Sequence, residues 1–202
     1  HRVLSYRSKI PISIDTTKLD VAKECLAEGA DIVNDVSALK RSGLAMAELV
    51  QKTGAGLVLM HSRGTPKDMQ KLIQYQDVAG EILSELRESI DQALKAGVEH
   101  DQIVIDPGLG FAKTSGQNLE LIRNLNFFHE LGYPVLVGPS RKSFIGEVTG
   151  RKVHEREFGT AACVAAAVLQ GAQILRVHEV GAMRDVIRMI EAIKGETYVR
   201  TF

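Results

Sequence analysis

One pattern recurs along this chain and dictates its fold: a short apolar run ends on a polar residue, and an amphipathic segment closed by glycine follows. The clearest instance is Ile103-Val104-Ile105-Asp106-Pro107-Gly108-Leu109-Gly110-Phe111-Ala112-Lys113-Thr114. Three β-branched residues in a row predict a strand buried on both faces, as in a parallel sheet. Pro107 then removes a backbone donor, and Gly108 and Gly110 permit turns closed to other residues. A carboxylate at the mouth of such a strand is costly unless a charge or a hydrogen bond meets it. Asp106 therefore either ties down its own turn or waits for a ligand.

The same order repeats on both sides. Pro11-Ile12-Ser13-Ile14-Asp15 predicts a strand, and Thr16 or Thr17 can cap a helix burying Leu19, Ala22 and Leu26 before Gly29. Ile32-Val33 leads to Asn34-Asp35, and a helix through Leu44, Ala47 and Val50 stops at Gly54. Gly56-Leu57-Val58-Leu59-Met60 ends at His61. A long helix from Tyr75 to Ala96 follows, its core stripe formed by Val78, Ile82, Leu86, Ile90 and Leu94. After the central strand, Leu119, Ile122, Leu125 and Phe128 mark one helix closed by Gly132. Pro134-Val135-Leu136-Val137 opens into Gly138-Pro139-Ser140-Arg141-Lys142-Ser143, and an Ala-rich helix ends at Gly171. Ile174-Leu175-Arg176-Val177-His178 is the sixth strand, and Met183, Val186, Ile190 and Ile193 line a last helix before Gly195. His1 to Lys9 reads as the tail of a further helix.

Strict alternation implies an α/β fold with parallel strands and right-handed crossovers. No linker, low-complexity tract or charge block divides the 202 residues, which read as a single domain. Lys plus Arg equals Asp plus Glu, 25 against 25, so no global field draws the chain to nucleic acid or a membrane. Cys25 and Cys163 lack metal-like spacing and read as buried free thiols. No signal peptide and no apolar run of about 18 residues is evident, which makes a cytoplasmic setting the expectation.

Parallel strands put their C-terminal ends on one side, so Asp15, Asn34, His61, Asp106, Lys142 and His178 are expected on one face. That is the functional face of such sheets and barrels. Gly108 to Thr114 is not a phosphate-cradling P-loop, because the spacing is short and Ala112 replaces the needed glycine. Nor is Gly138 to Lys142 a nucleophile elbow, since Lys142 stands where its second glycine should be. The cations and hydroxyls of Ser140-Arg141-Lys142-Ser143 suit an anion or a polar substrate. Arg176 and His178, two apart, are expected on one side of their strand, with either a protein carboxylate or a phosphate facing Arg176. His61-Ser62-Arg63-Gly64-Thr65-Pro66 reads equally as an anion-gripping loop or as structure. Lys67, Arg151, Lys152 and Arg156 read as solvated surface charges. Asp15 and Asp106 could form an acid–base pair, although nothing in the sequence fixes their separation.

In family order, the segments Ile12 to Thr16, Asn34 to Ser37, Met60 to Pro66, Asp106 to Thr114, Ser140 to Gly146 and Arg176 to Val180 resemble dihydropteroate synthase. The resemblance implies a (β/α)₈ TIM barrel that joins 6-hydroxymethyl-7,8-dihydropterin diphosphate to 4-aminobenzoate, releasing pyrophosphate, in folate biosynthesis. By matching position it implies that Asp15, Asn34 and Asp106 hold the pterin, with Met60 and Phe111 as apolar neighbours. Lys142 and Ser143 would lie by the pterin and the aminobenzoate, and Arg176 and His178 would bind the diphosphate. Lys142, Arg176 and His178 are thereby the expected catalytic residues. The same resemblance implies Mg²⁺ with the diphosphate and a family that is a sulfonamide target. Whether this chain forms a homodimer or responds to sulfonamides is left open by the sequence. Ser62, Ala112 and Glu179 depart mildly from the family pattern. The family's first two strands, with the residue expected to bind magnesium, have no counterpart here. Six units would leave the barrel open at two strands, so the natural chain is expected to be longer, or this one to be a remnant. Two rival readings stand beside the synthase: a pterin-dependent methyltransferase, which has no diphosphate to bind, and a pterin-binding fragment without turnover.

Overall fold

A computed structural model describes residues 10–65 and 67–195, so the helix tail expected before Lys9 lies outside the described residues. Among the described residues six parallel strands alternate with helices. They are β1 (Ser13–Asp15), β2 (Ile32–Asp35), β3 (Gly56–Met60), β4 (Ile103–Asp106), β5 (Leu136–Val137) and β6 (Ile174–Leu175). Sequence neighbours pair throughout, β1 to β2 to β3 to β4, then β5 to β6. The two groups join where Ile105 bridges Val135 and its N–H donates to the Pro134 carbonyl. In register, Asp15 lies beside Asn34 and Met60 beside Asp106, so the polar strand ends fall in one row.

The helices are α1 (Leu19–Ala27), α2 (Leu44–Thr53), α3 (Val78–Lys95), α4 (Ser115–Arg123), α5 (Ser143–Thr149), α6 (Glu157–Leu169) and α7 (Val180–Ile193). Asp77 starts α3 by accepting the Gly80 N–H, and Ile82, Leu86 and Ile90 are buried from it. Leu94 is 41% exposed, so the stripe ends one turn before the helix does. β3 and β4 are dry strands: Leu57, Leu59, Ile103 and Ile105 are all buried, with Phe128 and Phe144 in the same core. β1 and β6 expose Ser13, Asp15 and Ile174, and among the described residues each pairs on one side alone.

Five sequence expectations change. The helix through Leu119 and Phe128 is two pieces, because α4 stops at Arg123 and a 3-10 segment covers Leu125–Leu131. Likewise the Ala-rich helix is preceded by a separate α5, ended by Gly150 in a left-handed conformation. Thr16 does not cap α1; its hydroxyl accepts from the Lys18 N–H, and Lys18 is the capping residue. β6 is only two residues long, so Arg176 and His178 lie beyond it on the following loop. Cys25 and Cys163 are free and half-buried rather than buried.

Candidate active site

The turn after β4 is over-determined by its own hydrogen bonds. Asp106 Oδ1 accepts the Gly108 N–H at 2.7 Å, and Asn118 Oδ1 accepts the Gly110 N–H at 2.6 Å. Gly108 has φ +72°, and a Cβ there would stand 1.9 Å from the His61 carbonyl oxygen. Only glycine fits so close an approach. A Cβ on Gly110 would press on the Lys142 chain at 2.9 Å. Ala112, at the position where the family resemblance expects glycine, adopts φ 49°, which explains that preference. Thr114 then caps α4, exchanging hydrogen bonds with Gln117.

Four of the six expected strand-end residues meet. Asp15, Asn34, Asp106 and Lys142 line one cleft with Met60, Phe111 and Arg176, and with Val36, Leu109 and Gly138. Asp106 is 4% exposed, and burial raises its carboxyl to about 6, against the pull of the Gly108 N–H and of Lys142, Lys113 and Arg176. The Lys142 ammonium lies 4.2 Å from the Phe111 ring centroid; burial lowers its pKa, while Asp106 raises it. Asn34 donates through Nδ2 to Asp15 Oδ1 at 2.9 Å, whereas its own Oδ1 is buried with no hydrogen-bond partner. An orphaned buried acceptor facing a polar cleft is costly unless a ligand donates to it.

Arg176 reaches the cleft and binds a protein carboxylate there, Nη2 donating to Asp15 Oδ2. Asp15 and Asp106 thus share one cleft, but Asp15 is occupied by Asn34 and Arg176 rather than set against Asp106. His178 stands outside the lining residues; its Nδ1 meets Ser140 Oγ at 2.7 Å. Ser143 is exposed as the first residue of α5 and also lies off the cleft.

His61 turns away from the cleft. It is buried, and burial lowers its pKa to about 4 against the raising effect of Glu85. Arg63 is held by Glu81, Glu85 and the Gln74 carbonyl, and lies 3.9 Å over the Tyr75 ring. The partners of His61 and Arg63 tie this loop into the protein, which favours the structural one of its two readings. Sequence reasoning also missed two supports. Asp35, wholly buried, accepts from the Ser37 and Leu39 N–H groups and the Ser37 and Ser42 hydroxyls, fixing the loop that carries Val36. Arg156 is no solvated surface charge: its guanidinium donates to the Arg141 and Lys142 carbonyls, packed where a side chain at Gly146 would stand. The Asp-x-Ser spacing was a readable sign of the first; nothing in sequence marked the second.

A family model described as pterin binding enzyme matches residues 2–178. The chain belongs to the dihydropteroate synthase family of pterin-binding enzymes. It is 45% identical over 185 residues to the dihydropteroate synthase of Synechocystis sp., covering 91% of this chain but 64% of that protein. It thus spans a little under two thirds of the length of this curated relative. Crystal structures of the Thermus thermophilus dihydropteroate synthase superpose with a TM-score of 0.87 in complex with 6HMPPP, and 0.89 with 4-aminobenzoate. Each is 40% identical, over 92% of this chain and 73% of that one in the first, 96% and 78% in the second. Family membership makes the open row of six strands an α/β fold of the TIM-barrel kind. Among the described residues no helix is long and apolar enough to cross a membrane.

Proposed function

We propose that this chain carries the pterin-binding and condensing face of a dihydropteroate synthase. In that reaction 6-hydroxymethyl-7,8-dihydropterin diphosphate and 4-aminobenzoate give 7,8-dihydropteroate and pyrophosphate. The observation that carries the reading is the cleft lining: a buried carboxylate, Asp106, and the unpartnered carbonyl oxygen of Asn34 share one cleft. A pterin presents an amino group and a ring N–H side by side, a match for one carboxylate, and further donors for an amide oxygen. Met60 and Phe111 supply apolar contact to a flat ring, and the Lys142 ammonium lies against Phe111 on the same cleft.

The chemistry asks little of a strong base. As the C–O bond to diphosphate breaks, charge builds on the departing oxygens and the weakly basic arylamine attacks the pterin methylene carbon. Arg176 and Lys142, both at the cleft, are placed to stabilise the departing charge, while Asp106 and Asn34 orient the ring. His178 and Ser143 are assigned to the diphosphate and aminobenzoate ends, just outside the cleft. Magnesium is part of the proposal only as a companion of the diphosphate. Among the described residues no three His, Cys, Asp or Glu side chains gather in a way that could hold a metal ion. Self-association is proposed as well, supported by the apolar side chains that α6 and α7 expose, Phe158, Leu169, Val180 and Ile193.

Cations on the cleft favour this reading over a pterin-dependent methyltransferase, which has no diphosphate to accommodate. The test is calorimetric titration of the chain with 6-hydroxymethyl-7,8-dihydropterin. Asp106→Ala is expected to weaken binding by about 1.5–3 kcal/mol, the range for hydrogen bonds to a charged group. An unchanged dissociation constant in a folded variant removes Asp106 from the site. Binding without turnover of both substrates would favour the non-catalytic reading.

A further inference from the structure

Behind the Asp106 turn, on the side away from the cleft, runs a line of charge that the proposed chemistry does not use. Lys113 is 4% exposed, yet all three donors of its ammonium are placed: Gly108 O at 2.9 Å, Phe111 O at 2.9 Å and His61 Nδ1 at 3.1 Å. An ammonium can only donate, so His61 Nδ1 accepts and its proton sits on Nε2. That nitrogen donates to Glu85 Oε2 at 3.1 Å, and Glu85 is held in turn by Arg63 and Lys40. The tautomer of His61 and the aim of Lys113 are therefore set from α3.

A buried lysine is an expensive way to hold a turn, because a well-packed apolar side chain usually does so at lower cost. What Lys113 grips gives the reason for it. The Gly108 and Phe111 carbonyls bracket the turn whose two ends carry the pterin carboxylate, Asp106, and the aromatic wall, Phe111. We propose that Lys113 is a positioning residue for the pterin subsite, holding the turn from Asp106 to Phe111 in its binding geometry, with His61 and Glu85 orienting its ammonium. This rests on the pterin reading of the cleft. Burial lowers Lys113 to about 7, against the raising effect of Asp106 and Glu85. It is therefore charged where Asp106 titrates, and is among the cations there, with Lys142 and Arg176, that favour the ionised carboxylate against burial.

The experiment is titration of the full chain and of Lys113→Met with 6-hydroxymethyl-7,8-dihydropterin over a series of pH values, with unfolding midpoints measured alongside. Lys113→Met is expected to bind about tenfold more weakly at neutral pH, the loss of hydrogen bonds from a charged donor. The pH at which binding falls by half should also move upward, since one of the cations that keeps Asp106 ionised is gone. A brace that serves stability alone would lower the unfolding midpoint and leave both the affinity of the folded protein and that pH unchanged; this result overturns the proposal. Glu85→Gln decides the matter if Lys113→Met does not fold, because its hydrogen bonds go to His61, Arg63 and Lys40, none of them on the cleft. About threefold weaker binding is expected there, within the range for neighbours in one network, and parental affinity overturns the proposal. A parent chain that binds no pterin would remove the pterin reading itself, and the proposal with it.

Discussion

The two sides of the cleft are built to different standards. On the β3–β4 side the strands are four and five residues long, their side chains are dry, and Asp106 and Lys113 are buried with hydrogen bonds assigned. Across the cleft β5 and β6 are two residues each, and Arg176 and His178 lie exposed beyond the second. Asn34, at the end of β2, belongs with the first group and Asp15, at the exposed end of β1, with the second. The difference follows from what each side is proposed to recognise. A neutral ring is told from other rings by fixed donors and acceptors in a dry site, which must exist before the ligand arrives. A diphosphate announces itself by charge, and charge is felt by exposed cations without a prebuilt cage.

If the first side is preorganised, its tightest point should be the least forgiving. Gly108→Ala puts a side chain into left-handed backbone and against the His61 carbonyl, which cannot withdraw without dragging β3. The expected cost is about 2–5 kcal/mol, the sum of a left-handed residue and an overpacked contact. Chemical denaturation measures it. A variant with parental stability would show that the turn yields, and that the contrast with the far side is one of appearance.

Proton linkage sharpens the same contrast. Burial raises Asp106 from 3.8 to about 6, so in the empty cleft the fold favours the protonated acid. Its contribution to stability is whole below pH 3.8 and lost as pH rises through about 6. Pterin binding should run the other way, because the ring donates to the carboxylate. Affinity is expected to hold above pH 6 and to fall about tenfold per pH unit below it. Opposite slopes for stability and affinity in this window, measured by unfolding and by titration, are the signature of a buried ligand carboxylate. Affinity that is flat through this range would mean that Asp106 binds no donor.

The dry side was also the legible one. Ile103-Val104-Ile105 before Asp106-Pro107-Gly108 encodes a buried strand, its stop and its carboxylate in one stretch of local sequence. Parallel topology then placed Asp15, Asn34 and Lys142 beside it without further information. His61 could not be placed this way. A residue one step past a strand can turn to the cleft or behind it, and the choice rests on Lys113 and Glu85, 52 and 24 positions away. Arg156 escaped for a similar reason: its partners are backbone carbonyls, which carry no mark in sequence. On the exposed side, periodicity misled. Arg176 and His178 are spaced as if on a strand, but β6 ends at Leu175, and the two side chains part, one to Asp15 and one to Ser140.

The smallest expected effect tests that exposed side. Arg176 and Asp15 form an ion pair with side chains 59% and 43% exposed, and such surface pairs contribute about 0–1 kcal/mol. Arg176→Ala should therefore leave the unfolding midpoint nearly where it was. Its consequence should appear in coupling instead. While the cleft is empty Arg176 engages Asp15, which is proposed to help hold the pterin; a diphosphate offers the guanidinium a stronger partner and releases the carboxylate. Inorganic pyrophosphate should then tighten pterin binding, and pterin should tighten pyrophosphate binding by the same factor, because such linkage is reciprocal. Since the pair being exchanged is exposed, the factor is expected to stay below about fivefold, and to shrink further as salt screens it. In Arg176→Ala the coupling should vanish although Asp106 and Asn34 are untouched. Equal enhancement in parent and variant would place the anion elsewhere and leave Arg176 as a surface partner of Asp15.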